Sequence, residues 1–143
     1  MKKNIRYSIE QIRQSIIKNS DDSLYEIEEE IEKIKTLEGI DISIVSELLS
    51  FYEEYPHFDF GMPGALTHYL ETFYQKGYEE KLVTSIKRKP THHTLWMLNR
   101  VINGTEKDST KDFYIQILKA VATNDKVELS LQELANEYIS LHK

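Results

Sequence analysis

Apolar residues recur along this chain at every third or fourth position, the spacing of one helix face. No alternating run is long enough to compete as a strand, and the pattern predicts an all-α protein. Ile5, Ile9, Ile12, Ile16 and Ile17 mark a first helix over residues 4–19, followed by a turn at Asn19-Ser20-Asp21-Asp22. Ser23 with Glu26 reads as a capping box, and Leu24, Ile27, Ile31 and Ile34 carry the second helix to Lys35. After Glu38-Gly39, Asp41 or Ser43 caps a third helix. Ile44, Val45, Leu48, Leu49 and Tyr52 face inward on it, and it runs to Tyr55 before Pro56 stops it.

An irregular segment, residues 56–64, leads to Pro63, which suits the first turn of a fourth helix with Leu66, Tyr69, Leu70 and Phe73 on its apolar side. Gly77 ends that helix, and Tyr78 to Lys87 forms a short fifth one around Leu82, Val83 and Ile86. Pro90 and Thr91 open the sixth, and Asn103-Gly104 closes it. Leu95, Leu98, Val101 and Ile102 spread over more than one of its sides, with Trp96 among them. This helix is therefore expected to lie between neighbours, with Trp96 at least mostly buried among three or more helices. Ser109 with Asp112 resembles a capping box for a seventh helix built on Phe113, Ile117, Leu118 and Val121. Val127 and Leu129 are expected to form a brief extended piece. Ser130 with Glu133 then caps the last helix, which carries Leu131, Leu134, Ala135, Tyr138 and Leu141.

About eight helices joined by such short turns are expected to pack as antiparallel hairpins. The result is either a HEAT-like stack or an irregular helical bundle, although no internal sequence repeat marks a solenoid. A chain of 143 residues is expected to form a single domain spanning residues 1–143.

Charge changes this picture. Residues 1–60 hold fourteen acidic and seven basic side chains, and residues 61–143 hold ten and eleven. The net charge of −6 thus lies almost wholly in the first part. A phosphate backbone needs a positive field, so nucleic acid is not the expected ligand, and a charged partner should be a basic protein. The chain has no cysteine, which excludes disulfides and thiolate chemistry within it. No apolar run approaches the roughly 20 residues of a membrane span, and no apolar core follows the basic start as in a signal peptide. The expected setting is the cytoplasm, with no membrane partner.

Candidate chemistry is sparse. His92 and His93 are adjacent and point about 100° apart on a helix, so they do not share one metal. Glu54 and His57 have the Glu-x-x-His spacing of di-iron sites, but Pro56 interrupts them and no second such motif exists; His68 and Glu71 are three apart on one face. No Gly-x-Ser-x-Gly, phosphate-loop or dinucleotide motif occurs, and Gly61-Met62-Pro63-Gly64 reads as a tight turn before a helix. Neither a catalytic residue, a metal site nor a cofactor is assigned. Lys87-Arg88-Lys89 with Arg100 is the only basic cluster and reads as a solvated loop.

The segment of most interest is Tyr52-Glu53-Glu54-Tyr55-Pro56-His57-Phe58-Asp59-Phe60. Aromatic residues mixed with carboxylates suit an interface with a basic partner, which makes Tyr52, Glu53, Glu54, Tyr55, His57 and Asp59 candidate partner-binding residues. The same aromatics suit core positions pinning the loop, and both readings stand. Glu26, Glu28, Glu29, Glu30 and Glu32 line the outer face of the second helix, which reads first as a solvated surface.

Two segments carry a resemblance: Phe60-Gly61-Met62-Pro63-Gly64 leading into a helix, and Ser85 to Asn103 with Pro90-Thr91 and Leu95-Trp96-Met97-Leu98-Asn99-Arg100. Over residues 58–142 the chain resembles the small all-α immunity proteins of bacterial polymorphic-toxin and contact-dependent growth inhibition systems. The resemblance implies a non-enzymatic protein that binds one cognate toxin domain, often a nuclease, and blocks it in the cytoplasm. Two other readings stay open: a helical adaptor that scaffolds proteins, and a helical hydrolase with a metal at Glu54, His57, His68 and Glu71.

Overall fold

The computed structural model describes residues 2–142. Among them are eight helices and no strand, in the order α1 (Lys3–Lys18), α2 (Ser23–Lys35), α3 (Ser43–Glu54), α4 (Gly64–Glu71), α5 (Tyr78–Arg88), α6 (His92–Asn103), α7 (Asp108–Ala122) and α8 (Leu129–Leu141). The chain divides into two compact units, Met1–Tyr78 and Glu79–Lys143.

In the first unit, α1 and α2 form the most extensive contact; α2 also packs on α4, and α3 packs on both α1 and α4. Its interior combines aliphatic side chains with aromatic ones. Ile5, Ile12 and Ile16 of α1 meet Ile27, Ile31 and Ile34 of α2, and Leu48, Leu49, Phe51 and Tyr52 of α3 join Leu66 and Leu70 of α4 in the core. In the second unit, α7 and α8 form the main hairpin and α6 packs on both. Leu95, Met97, Leu98 and Ile102 of α6, Leu118 of α7 and Ala135 of α8 are its most buried apolar side chains, together with Leu82 and Ile86 of α5.

Helix starts differ from the expected caps in instructive ways. Thr91 does cap α6: its hydroxyl accepts from the Thr94 N–H at 3.1 Å, and the Thr94 hydroxyl accepts from the Thr91 N–H at 3.1 Å. The reciprocal box therefore uses threonine where glutamate is usual. Ser23, by contrast, is already inside α2 and does not cap it. Its buried hydroxyl donates to the Ser15 carbonyl at 2.7 Å and accepts from the Ser20 N–H at 2.8 Å, tying α2 to the end of α1. Ser109 and Ser130 likewise lie within their helices, which start one residue earlier at Asp108 and Leu129 with no side-chain cap. Before α3, Asp41 accepts from both the N–H and the hydroxyl of Ser43, and those bonds hold its carboxyl below the usual range.

The brief extended piece is absent. Val127 closes a turn through its N–H to the Asn124 carbonyl at 3.0 Å, and Leu129 already belongs to α8. Two apolar residues without a partner strand gain nothing from an extended backbone. Pro63 also sits outside its helix, immediately before Gly64 and after a cis Met62–Pro63 peptide bond. Gly61 turns with φ +84°, and a Cβ there would lie 3.1 Å from the Gly64 Cα. Only glycine satisfies both demands.

Trp96 is not a core residue. Most of its surface is covered but it is not fully buried, lying edge-on to the His93 ring at 5.3 Å and under the Arg100 guanidinium at 5.1 Å. The inward positions go to Leu95, Met97 and Leu98 because a helix packed on two neighbours still leaves one side uncovered.

Candidate functional site

The loop that follows α3 is pinned from inside. Tyr52 is fully buried, its ring lies 4.4 Å from that of Phe60, and its hydroxyl shares a hydrogen bond with Thr67 Oγ1 at 2.9 Å. Burial raises the Tyr52 hydroxyl well above the ordinary tyrosine value, so it stays neutral. Phe58 packs edge-on to Phe60 at 4.8 Å. These aromatics therefore anchor the loop to α3 and α4.

The six candidate residues divide accordingly. Tyr52 and Glu53 are buried and present no surface to a partner. Tyr55 is half-buried, while Glu54, His57 and Asp59 are exposed. Arg13 of α1 engages two of them, donating to the Glu54 carboxylate and to the Tyr55 hydroxyl at 3.3 Å. Its guanidinium also lies 5.1 Å from the centre of the Phe51 ring. The hydrogen bond to Tyr55, then that to Glu54, further strengthen its hold on its proton. Asp59 accepts from the Gly61 N–H at 2.9 Å and so shapes the turn. The segment is largely architecture, with His57 and parts of Glu54 and Asp59 left to face solvent.

A second surface of the same unit has more to offer. On α2, Leu24, Tyr25, Glu28, Glu29 and Glu32 are all exposed. At 100° per residue they form one continuous stripe along the helix. Leu24 and Tyr25 stay 45% and 65% exposed, and Met62 in the loop before α4 is 65% exposed. Leu24 and Glu28 border a cavity of about 200 Å³ completed by Ile27, Phe60, Gly64, Ala65 and Leu66.

The glutamates on α2 are not equivalent. Glu30, expected on the outer face, is buried and accepts from Lys33 at 3.0 Å. Glu26 accepts from Lys18 at 2.7 Å, which lowers its pKa, and Glu32 accepts from Lys35 at 2.7 Å. Glu29 accepts from the Tyr25 hydroxyl, and that bond raises the tyrosine's pKa. Glu28 forms no ion pair among the described residues. The periodicity of α2 groups Leu24 with the inward residues, but Leu24 is 45% exposed.

Among the described residues no three His, Asp or Glu side chains converge as metal ligands. His68 and Glu71 approach at 3.8 Å as a local pair. His92 faces Ser130 at 3.3 Å, and His142 faces Asn99 at 2.7 Å. The Glu54, His57, His68 and Glu71 grouping is therefore not assembled. Lys87, Arg88 and Lys89 are exposed at the end of α5. Among the described residues no helix is long and apolar enough to cross a membrane. No family model, curated protein or solved structure matches the chain.

Proposed function

We propose that this chain is a stoichiometric inhibitor of a basic protein domain, acting in the cytoplasm as an immunity protein acts on its cognate toxin. It works by occupying its partner and needs no turnover of its own. One observation carries the reading. The unit Met1–Tyr78 contains fifteen acidic and eight basic side chains, and its α2 surface sets exposed Leu24 and Tyr25 directly beside Glu28 and Glu29. Apolar anchors flanked by carboxylates combine desolvated contact with long-range attraction of a positive partner. A nuclease domain supplies such a positive field, because it must hold a phosphate backbone.

The test is to purify this chain with the toxin domain encoded beside its gene, then to measure complex formation by calorimetry and toxin activity in the same mixture. A one-to-one complex that silences the toxin and weakens steeply with salt is expected. Absence of a complex, or a complex that leaves the toxin active, would refute the reading.

A further inference from the structure

We propose that the cavity between α2 and the start of α4 is a socket for one apolar side chain of a cationic amphipathic helix. That helix would lie along α2 with its Lys or Arg residues opposite Glu28, Glu29 and Glu32. The inference deepens the inhibitor reading by naming the chemistry of the segment that is held.

Size comes first. The cavity is about 200 Å³, and its walls are Leu24, Ile27, Phe60, Ala65 and Leu66, with Gly64 leaving one side open. A dry cavity of roughly 150 Å³ admits a benzene ring, so this one takes a phenylalanine or leucine side chain.

Charge then selects the occupant. Glu28 is itself part of the rim, and Glu32 follows one helical turn later, with Glu29 and Tyr25 beside them. The four-residue step places Glu28 and Glu32 about 6 Å apart along the axis, the repeat at which a second helix presents side chains at i and i+4. An acidic segment would be repelled by the same row. A flexible basic tail would gain the attraction but leave the socket unfilled.

The exposed apolar residues complete the case. Leu24 lines the opening and is 45% exposed. Its sequence neighbour Tyr25, and Met62 two residues before the rim residue Gly64, are each 65% exposed. Tyr25 carries a large ring with few rotamers to lose, which suits an interface anchor.

The experiment uses the full chain and three synthetic helical peptides of equal length. The first has a leucine and phenylalanine stripe flanked by lysines; the second exchanges the lysines for glutamates; the third keeps the lysines but puts serine in the stripe. Amide chemical shifts of the isotope-labelled chain report where each binds. Only the first should perturb the amides around Leu24, Glu28, Phe60 and Ala65. Leu24→Ser with Tyr25→Ser should weaken it about tenfold or more. Glu28→Gln with Glu29→Gln should weaken it at low salt and flatten its salt dependence. Binding of the serine or glutamate peptide as tight as the first, or perturbations elsewhere on the chain, overturns the assignment. So does a toxin domain held with unchanged affinity by the Leu24→Ser, Tyr25→Ser chain, and in that case the inhibitor reading itself survives. Docking of the first peptide in the socket without inhibition of the toxin supports the socket and removes the inhibitor reading.

Discussion

The Tyr52 hydroxyl and Thr67 Oγ1 share a 2.9 Å hydrogen bond inside the first unit, joining α3 to α4 beneath the loop that separates them. The contact is side chain to side chain and buried, so it acts on stability. Tyr52→Phe is expected to cost about 1 kcal/mol by losing the bond while keeping the ring. Tyr52→Ala should cost about 3–5 kcal/mol by emptying the core beside Phe60. Denaturant unfolding measures both. A Tyr52→Phe, Thr67→Val cycle with no coupling energy would mean that the two hydroxyls do not act together.

Ser23 provides a parallel test at the α1–α2 junction. Its hydroxyl serves the Ser15 carbonyl and the Ser20 N–H, and the residue is 1% exposed. Ser23→Ala should therefore destabilise the chain by about 1–3 kcal/mol, since the Ser20 N–H loses its acceptor. Were Ser23 a capping residue, Glu26→Ala would weaken the same helix end. Because Glu26 faces Lys18 in an exposed ion pair, that change should matter much less than Ser23→Ala. Equal effects from the two substitutions would contradict the observed geometry.

Trp96 lies mostly but not fully buried between His93 and Arg100, whereas Leu98 on the same helix has no exposed surface. Leu98→Ala is expected to cost about 2–5 kcal/mol, and Trp96→Ala distinctly less. Tryptophan fluorescence should be only partly shielded from iodide in the folded chain. A blue-shifted, protected emission would place the indole in the core after all.

His142 gives the second unit a pH signature. Partial burial, and then the charge of Lys111, lower its pKa below the ordinary 6.5, and its ring nitrogen contacts Asn99 Oδ1 at 2.7 Å. A folded value below the unfolded one means that the unfolded chain takes up this proton first as pH falls. The contribution is intact above about 6.5 and declines as pH drops from there through the folded value. His142→Gln should flatten that part of the stability profile between neutral and mildly acidic pH. An unchanged slope would show that His142 titrates as it does in the unfolded chain.

Local spacing by itself determined the eight helices, the stops near Pro56 and Gly104, the Thr91 cap and the concentration of negative charge in the first half. Each follows from the backbone preferences of residues a few positions apart, or from composition alone. Spacing placed the end of the fourth helix at Gly77, whereas α4 stops at Glu71 and Phe73 lies in the turn beyond it. The tertiary structure decided which sides of those helices are covered. Leu24 and Glu30 show why. Helical periodicity groups Leu24 with Ile27 and Ile31 and sets Glu30 among the outer glutamates, yet Leu24 is 45% exposed and Glu30 only 8%. The same holds for Glu53, which sequence places in one acidic, aromatic segment with Glu54 and His57, yet which is only 8% exposed. For Tyr52 the inward direction is legible in the spacing, but its hydrogen-bond partner Thr67 comes from α4 and is not. Periodicity orients a side chain about its own helix axis; whether that direction meets water is set by neighbours far away in the chain.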